Sequence, residues 1–263
     1  MFKHCVLAVD YSSEWDKALD YLPAIKPLLG FEQLTLVYVV ETYRRRRIED
    51  SEASAQGHLK ELASRIRDEL GVTVDFQVRS GFAASEVLDV AKRQHADAVI
   101  TLNRSHSAGR ELFLGNISMN LARMSRLPLV ILSSDGNIVA PDAPVVFATD
   151  GSPSGNAARR CFEELVKQGR HGLAVWVDAD SHDDEDAAHR ILTDLSARHP
   201  NVAARRLRGS AADQINQTAV DEKAALVIVG KRGSTPISEL MLGSTAESIA
   251  RECRQPVLLV PSS

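Results

Sequence analysis

The segment of the sequence best suited to chemistry is a spaced set of glycines near its end. Gly230 is followed by Gly233 after two residues and by Gly243 after nine more, and Ser244 comes next. Glycines let backbone N–H groups approach a ligand closely, and the free N–H groups at a helix start attract anions such as phosphate. The same residues also fit ordinary turns and a capping box, because a glutamate follows Ser244 three residues later. The spacing alone leaves phosphate binding and plain turn chemistry both open.

Signatures of established catalytic sites do not occur in the sequence. It contains no G-x-S-x-G, no G-x4-G-K-S/T and no H-E-x-x-H. His182 and His189 flank an acidic stretch, but their separation of two helical turns is too large for both to reach one metal ion from a single helix. The three cysteines form no C-x-x-C pair and lie in apolar stretches, so we predict buried thiols. We expect neither a catalytic residue nor a protein metal site.

The composition predicts no strong long-range field around the protein. The chain of 263 residues has 31 Lys and Arg against 35 Asp and Glu, a formal charge of -4. This balance does not favour nucleic acid or an anionic membrane as a partner. The run Arg44–Arg47 is adjoined by one aromatic residue, Tyr43, and belongs to no longer basic stripe with interleaved aromatics, so a solvated loop is favoured over a nucleic-acid contact. Without a signal peptide or an apolar stretch of about 18 residues, we expect a cytoplasmic protein with no membrane insertion.

An internal repeat indicates which elements must position the glycines. Residues 99–130 recur 128 positions later without a gap, whereas the start of the chain recurs 140 positions later, at 146–152. The larger offset means that the first copy carries about twelve extra residues in its middle. We therefore predict two diverged copies of one domain, over residues 1–136 and 143–263.

Within each copy, short apolar runs alternate with longer segments of helical period. Strands are predicted at residues 5–9, 34–40, 72–78, 98–102 and 128–132, and near 145, 173, 202, 226 and 257. A helix is predicted by apolar residues three and four positions apart, ending at Gly71: Leu59, Leu62, Ala63, Ile66 and Leu70. This alternation predicts two α/β domains, each with a doubly wound parallel sheet of five strands and helices on both faces.

The glycine-spaced segment directly follows a predicted strand, which is where ligands bind in such sheets. From Gly230 to Ser244 it matches every fixed position of G-x2-G-x9-G-S/T, the ATP-binding pattern of the universal stress protein (UspA-like) family. Asp-Gly-Ser at 150–152 and the closing strand at 255–261 agree with the same family. Over nearly its whole length the chain resembles a tandem universal stress protein. The resemblance implies Rossmann-like, adenine-nucleotide-binding domains packed as a pseudo-dimer, with their last strands facing or pairing.

The resemblance also implies ligand contacts for individual residues of the second copy. Asp150 would lie near adenine and ribose, and Val177 would cover the base. The residues along the ribose and phosphates would be Val229, Gly230, Lys231, Arg232 and Gly233. The phosphates would be held by Gly243, Ser244 and Thr245, whereas Ala246 stands where some members have a second hydroxyl.

The first copy departs from the pattern at most matching positions. Leu102 and Ser105 replace the two loop glycines and Asn116 replaces the serine, while Asp10 and Gly115 are retained. A leucine obstructs a ribose by its side chain and resists positive φ. We therefore predict that the first copy is a structural partner, and that one ATP, with Mg²⁺, binds per chain in the second copy.

The expected function is a stress-response protein that uses bound ATP as a conformational signal without efficient turnover. Hydrolysis needs an in-line water, a base and usually metal ligands, and the sequence offers no such set. Bound phosphates would order the 234–242 loop and present a changed surface to an unidentified protein partner. Homodimerisation is also expected. Two alternatives stay open: a slow ATPase or phosphotransferase, and a nucleotide-free, chaperone-like interaction protein.

Overall fold

The structure is a computed structural model, and it describes residues 1–11, 15–41, 52–103, 117–136, 138, 140, 142–178, 185–233 and 241–262. Several positions discussed above lie outside these ranges: the arginine run at 44–47, His182, loop residues 234–240, Ser105, Gly115 and Asn116. Within the described ranges the chain forms ten strands and eight α-helices.

The first repeat contains the strands β1 (His4–Val9), β2 (Gln33–Val40), β3 (Thr73–Ser80), β4 (Ala98–Asn103) and β5 (Leu129–Ser133). Its helices are α1 (Trp15–Leu29), α2 (Glu52–Leu70), α3 (Ala83–Arg93) and α4 (Ile117–Met124). Every strand predicted from its apolar runs is present, with ends shifted by at most two residues. The predicted amphipathic helix is α2, and Gly71 ends it with a φ of +63°, a conformation that favours glycine.

The second repeat contains the strands β6 (Val145–Ala148), β7 (Gly172–Asp178), β8 (Val202–Arg208), β9 (Leu226–Gly230) and β10 (Val257–Val260). Its helices are α5 (Asn156–Lys167), α6 (Glu185–Arg198), α7 (Ala211–Asp221) and α8 (Ser244–Glu252). Strands and helices alternate as in the first repeat, because a parallel sheet of apolar strands is stable only when helices pack on both of its faces.

All ten strands join one sheet in the order β3-β2-β1-β4-β5-β10-β9-β6-β7-β8. Neighbours within a repeat are parallel, whereas β5 and β10 pair antiparallel, with Val130 opposite Leu258. The predicted pseudo-dimer with five strands from each repeat is confirmed, and because the last strands pair, the two sets of strands form one continuous sheet. In each repeat the chain reverses its direction across the sheet beside the first strand. The carboxyl ends of β6 and β9 therefore flank a topological switch point, where α/β sheets bind ligands.

Two apolar layers cover the two faces of the sheet. One packs against α1, α2, α5 and α6, and the other against α3, α4, α7 and α8. Cys5 and Cys253 are buried as predicted, but Cys161 is partly exposed because it lies at the margin of the core contact of α5. Helix α8 buries Ala246, Ile249 and Ala250, which recur at three and four residues along one face, and Cys253 is buried just after its end.

Candidate functional site

The loops that follow β6 and β9 are bonded to each other. Oδ1 of Asp150 accepts hydrogen bonds from the backbone N–H of Ser152 at 3.0 Å and from its hydroxyl at 2.7 Å. The hydroxyl of Ser154 lies 3.1 Å from the carbonyl oxygen of Arg232 and 3.0 Å from that of Gly233. These contacts hold the acidic loop of β6 directly against the glycine loop of β9.

The first two motif glycines serve this close approach. A Cβ at Gly233 would lie 2.4 Å from Oδ2 of Asp150, a carboxylate that Ser152 already holds through its other oxygen. At Gly230 a Cβ would lie 3.1 Å from the carbonyl oxygen of Arg232 and 3.3 Å from Cα of Gly155. Neither glycine adopts a positive φ, the other property that glycine can supply. Both positions therefore require glycine because a side chain would collide with a neighbouring backbone or carboxylate, and not because the backbone is left-handed.

The third motif glycine brings the start of α8 against the same loop. Gly243 is the N-cap residue of α8, and its N–H donates to the carbonyl oxygen of Lys231 at 3.1 Å. The interpretation as a capping box was wrong: no described side chain caps this helix start. Glu247 instead accepts hydrogen bonds from Arg251 at 2.7 Å and Arg123 at 2.6 Å, which hold the pKa of its carboxyl below the ordinary value. Among the described residues, no capping side chain competes with a ligand for the first backbone N–H groups of α8.

The remaining predicted residues lie around this junction. Ser244 is exposed and Thr245 partly exposed in the first turn of α8. Val229 and Val177 are buried near the ends of β9 and β7, in the layer that α7 and α8 cover. Because β6 lies between β9 and β7 in the sheet, Val177 is one strand farther from the glycine loop than Asp150. The predicted residues therefore share one edge of the sheet.

The side chain of Lys231 is directed away from this edge. Only 4% of the residue is exposed, and Nζ donates to the carbonyl oxygens of Arg123 at 2.6 Å and Ser125 at 2.8 Å, at the end of α4 in the first repeat. Burial, and to a lesser extent the charge of Arg232, lowers the pKa of the lysine to about 8. Its backbone N–H bonds to the carbonyl oxygen of Val260 at 2.7 Å. Lys231 can therefore contribute its backbone to the candidate site, while its side chain joins the repeats.

A matching contact crosses the repeat interface in the opposite direction. Asn103 stands 128 positions before Lys231, and 4% of it is exposed. Its Nδ2 donates to the carbonyl oxygens of Ala250 at 3.2 Å and Arg251 at 3.0 Å, at the end of α8, and its Oδ1 accepts from the Ser118 hydroxyl at 3.0 Å. Sequence reasoning missed this pair. The signal was a polar residue at the same repeat position after both buried apolar runs.

The corresponding edge of the first repeat is built from larger side chains. Leu102 is buried, with 6% exposed, and packs in the layer that α1 and α2 cover. Tyr11 stands where the second repeat has Gly151, and both have positive φ, +48° and +86°. The Tyr11 ring packs on Tyr38 with centroids 4.9 Å apart. An aromatic pair therefore occupies the first repeat beside a backbone turn that glycine makes in the second.

The acidic stretch after β7 forms ion pairs in its described part. Nη2 of Arg206 lies 2.8 Å from Asp178 and 2.7 Å from Glu185, and its guanidinium stands 4.6 Å from the ring centre of Trp176. Within the described ranges, no group of three or more His, Cys, Asp or Glu could hold a metal ion. No helix in the part of the chain that the structure describes is long and apolar enough to cross a membrane.

Comparison with known proteins matches both repeats to one family. The Universal stress protein family matches residues 1–133 and 143–261. A universal stress protein of Mycolicibacterium smegmatis is 26% identical over 97% of this chain and 96% of its own length. One of Mycobacterium tuberculosis is 28% identical over 73% of this chain and 69% of its own length. The crystal structure of a universal stress protein from Archaeoglobus fulgidus has a TM-score of 0.82 at 21% identity, covering 99% of this chain and 96% of that one. The chain belongs to the universal stress protein family, with two repeats in tandem.

Proposed function

We propose that the second repeat binds ATP between the β6 loop, the β9 loop and the start of α8, and that occupancy acts as a conformational signal in a stress response. The observation that carries the proposal is the meeting of the motif residues at the switch point. Gly233 lies against the carboxylate of Asp150, and Gly243 is bonded to the carbonyl of Lys231. Residues far apart in sequence thus form one small-residue cradle with an acidic end.

The two ends of this cradle suit the two ends of a nucleotide. At the α8 end, backbone N–H groups without a side-chain cap and the positive end of the helix dipole favour phosphate. The hydroxyls of Ser244 and Thr245 are accessible there as further donors. At the β6 end, the Asp150 carboxylate would repel phosphate but can accept hydrogen bonds from ribose hydroxyls. This polarity supports the nucleoside near Asp150 and the phosphates near Ser244.

Magnesium would accompany the phosphates in this arrangement. Mg²⁺ prefers oxygen ligands and usually binds through one or two carboxylates together with substrate phosphates. Asp150 lies at the nucleoside end of the cradle, where Oδ1 already accepts two hydrogen bonds from Ser152, so this carboxylate is not placed to bind a metal ion beside the phosphates. The phosphates would therefore supply most of the ligands, which fits a site that retains ATP without hydrolysing it efficiently.

Nucleotide content and two matched substitutions test the proposal. We expect freshly purified protein to release adenine nucleotide on denaturation, and Gly243→Asp to bind ATP at least ~100-fold more weakly, because a carboxylate about 4 Å from phosphate costs several kcal/mol. Gly57→Asp is the control, since a Cβ at Gly57 meets nothing within 4 Å. Binding by titration calorimetry and phosphate release should be measured on all three proteins.

Each other outcome identifies a different function. Equal ATP binding by the wild type and Gly243→Asp would reject this site. Steady phosphate release that Gly243→Asp abolishes would favour a slow ATPase or phosphotransferase. No nucleotide bound by the wild type would favour a nucleotide-free interaction protein. Homodimerisation, cytoplasmic location and a protein partner stay predictions.

A further inference from the structure

Two buried side chains fasten each repeat to the last helix of the other, and we call Asn103 and Lys231 the inter-repeat cap pair. Asn103 follows the apolar run of β4 and donates to two carbonyl oxygens at the end of α8. Lys231 follows β9 and donates to two carbonyl oxygens at the end of α4. The last carbonyls of a helix have no partner within the helix, and donors there are also favoured by the helix dipole.

Both members of the cap pair act on parts of the candidate phosphate site. Helix α8 has nine residues, so its phosphate-binding start and its end held by Asn103 belong to one short rigid element. Lys231 itself lies between Gly230 and Gly233, and its carbonyl oxygen accepts the N–H of Gly243. The side chain of Lys231 therefore anchors the glycine loop to the first repeat.

A third contact from the first repeat reaches the start of α8. Arg123 donates to Glu247 at 2.6 Å, and Glu247 lies in the first turn of the helix. Helix α8 is thus held by the first repeat near both of its ends. Asp150, in the loop after β6, and Val177, on β7, lie by contrast away from the repeat interface.

We infer that the first repeat is a working part of the nucleotide site, with Asn103 as the positioning residue that sets phosphate affinity in the second repeat through α8. Lys231 does the same for the glycine loop through α4. Asn103 reaches the second repeat through its hydrogen bonds to α8, so the nucleoside end at Asp150 and Val177 does not depend on them. The inference rests on the proposed function, and it explains how a repeat without the glycine motif contributes to binding by its partner repeat.

The test compares ATP with adenosine on the full-length chain, because the two ligands differ only in the phosphates. Asn103→Leu removes the donor to α8 at similar side-chain volume, and it should lower the ratio of ATP to adenosine affinity ~10-fold, within the range usual for coupling between sites. Adenosine affinity should stay within about twofold of the wild type. A loss of general stability would weaken both ligands together, so the ratio separates positioning from folding.

The second repeat offers a matched control for this substitution. Nδ2 of Asn201 donates to the carbonyl oxygens of Val166 at 3.0 Å and Arg170 at 2.6 Å, after the end of α5. Asn201→Leu removes the same chemistry from a helix that carries none of the predicted ligand residues. It should lower stability comparably and leave the ATP to adenosine ratio unchanged.

Lys231→Met provides a second, independent measurement if Asn103→Leu folds poorly. Its control is Lys26→Met, because Nζ of Lys26 donates to the carbonyl oxygen of Leu70 at 2.6 Å, at the end of α2. We expect Lys231→Met to lower the affinity ratio and Lys26→Met to leave it unchanged. Without nucleotide, hydrogen exchange should become faster in α4 for Lys231→Met and in α8 for Asn103→Leu.

The results that overturn the inference are distinct from those that reject the proposed function. An unchanged ratio of ATP to adenosine affinity in the folded variants, or an equal loss of ATP and adenosine binding, would overturn the inference. The first repeat would then be only a structural support, and the proposed ATP site would remain valid. A wild type that binds neither ligand would overturn the proposed function and this inference together. A ratio that falls equally in Asn201→Leu would also overturn the inference.

Discussion

The two repeats have the same strand order and helix layers but differ at the carboxyl ends of their strands. In the second repeat, Gly151 makes a turn of positive φ, and Gly230 leaves room for the loops of β6 and β9 to meet. In the first, Tyr11 and Leu102 stand at the same places and fill that space with side chains. The comparison shows that burial in the sheet keeps the strands of both repeats apolar, whereas the residues at the carboxyl ends of the strands differ in side-chain size.

One position at that edge is polar in both repeats. Asn103 is the last residue of β4 and Lys231 directly follows β9, and each donates two hydrogen bonds to the end of the final helix of the other repeat. Their side chains differ but their role is the same, because the last carbonyls of α4 and α8 have no partner within their helices and need donors where they are buried. The repeats thus diverged in their ligand loops while the contacts between them remained reciprocal.

Breaking the pairing of β5 with β10, which joins the two repeats, should cause the largest loss of stability. Val130 is fully buried in the middle of the ten-stranded sheet, so Val130→Asp should cost more than ~4 kcal/mol of unfolding free energy by burying an unpaired carboxylate. Both repeats should lose stability together in urea unfolding followed by circular dichroism. Val220→Asp on the exposed face of α7 is the control, with an expected change within ~0.5 kcal/mol. A second repeat that unfolds as in the wild type would show that the repeats fold independently.

The two members of the cap pair should differ in how their contribution to the unfolding free energy depends on pH, and this effect should be smaller. The pKa of Lys231 is about 8 in the folded chain, against 10.5 for an ordinary lysine. Between these values the unfolded chain holds a proton that the folded chain has released, so stability rises with pH in this interval. The unfolding free energy of the wild type relative to Lys231→Met should therefore increase from about pH 8 to about pH 10.5 and stay level below pH 8.

Urea unfolding of both proteins at pH 7, 8, 9 and 10 measures this difference. Asn103 does not titrate, so the same comparison with Asn103→Leu should show no trend in that interval. If the difference in unfolding free energy between the wild type and Lys231→Met does not change from pH 8 to pH 10, the lysine titrates like an exposed lysine and is not held against α4.

The sequence was sufficient for the sheet because its information is local. Continuous apolar runs such as Leu226–Val229 are buried on both faces, and turn residues separate them from helices of clear period. The match of Gly230 to Ser244 with a known spacing then placed the candidate site at the end of β9. Nothing beyond neighbouring residues was needed for either step.

The sequence predictions failed at residues whose role depends on a contact with a residue distant in sequence. A glycine can supply either positive φ or empty space, and only the approach of Asp150 to Gly233 decides for space. Glu247 has the spacing of a capping box, yet Arg123 from the other repeat reaches its carboxylate. The direction of Lys231 depends on the antiparallel pairing of β5 and β10, which no local pattern contains.

The central claim, one working nucleotide site held by two unequal repeats, is tested most directly by titrating ATP into the wild type and Gly230→Leu. A leucine at Gly230 gives the second repeat the residue of the first, with its Cβ 3.1 Å from the carbonyl oxygen of Arg232. We predict one ATP per chain for the wild type and no measurable binding for the folded variant. Two ATP per chain in the wild type, or an unchanged single site in Gly230→Leu, would contradict the account.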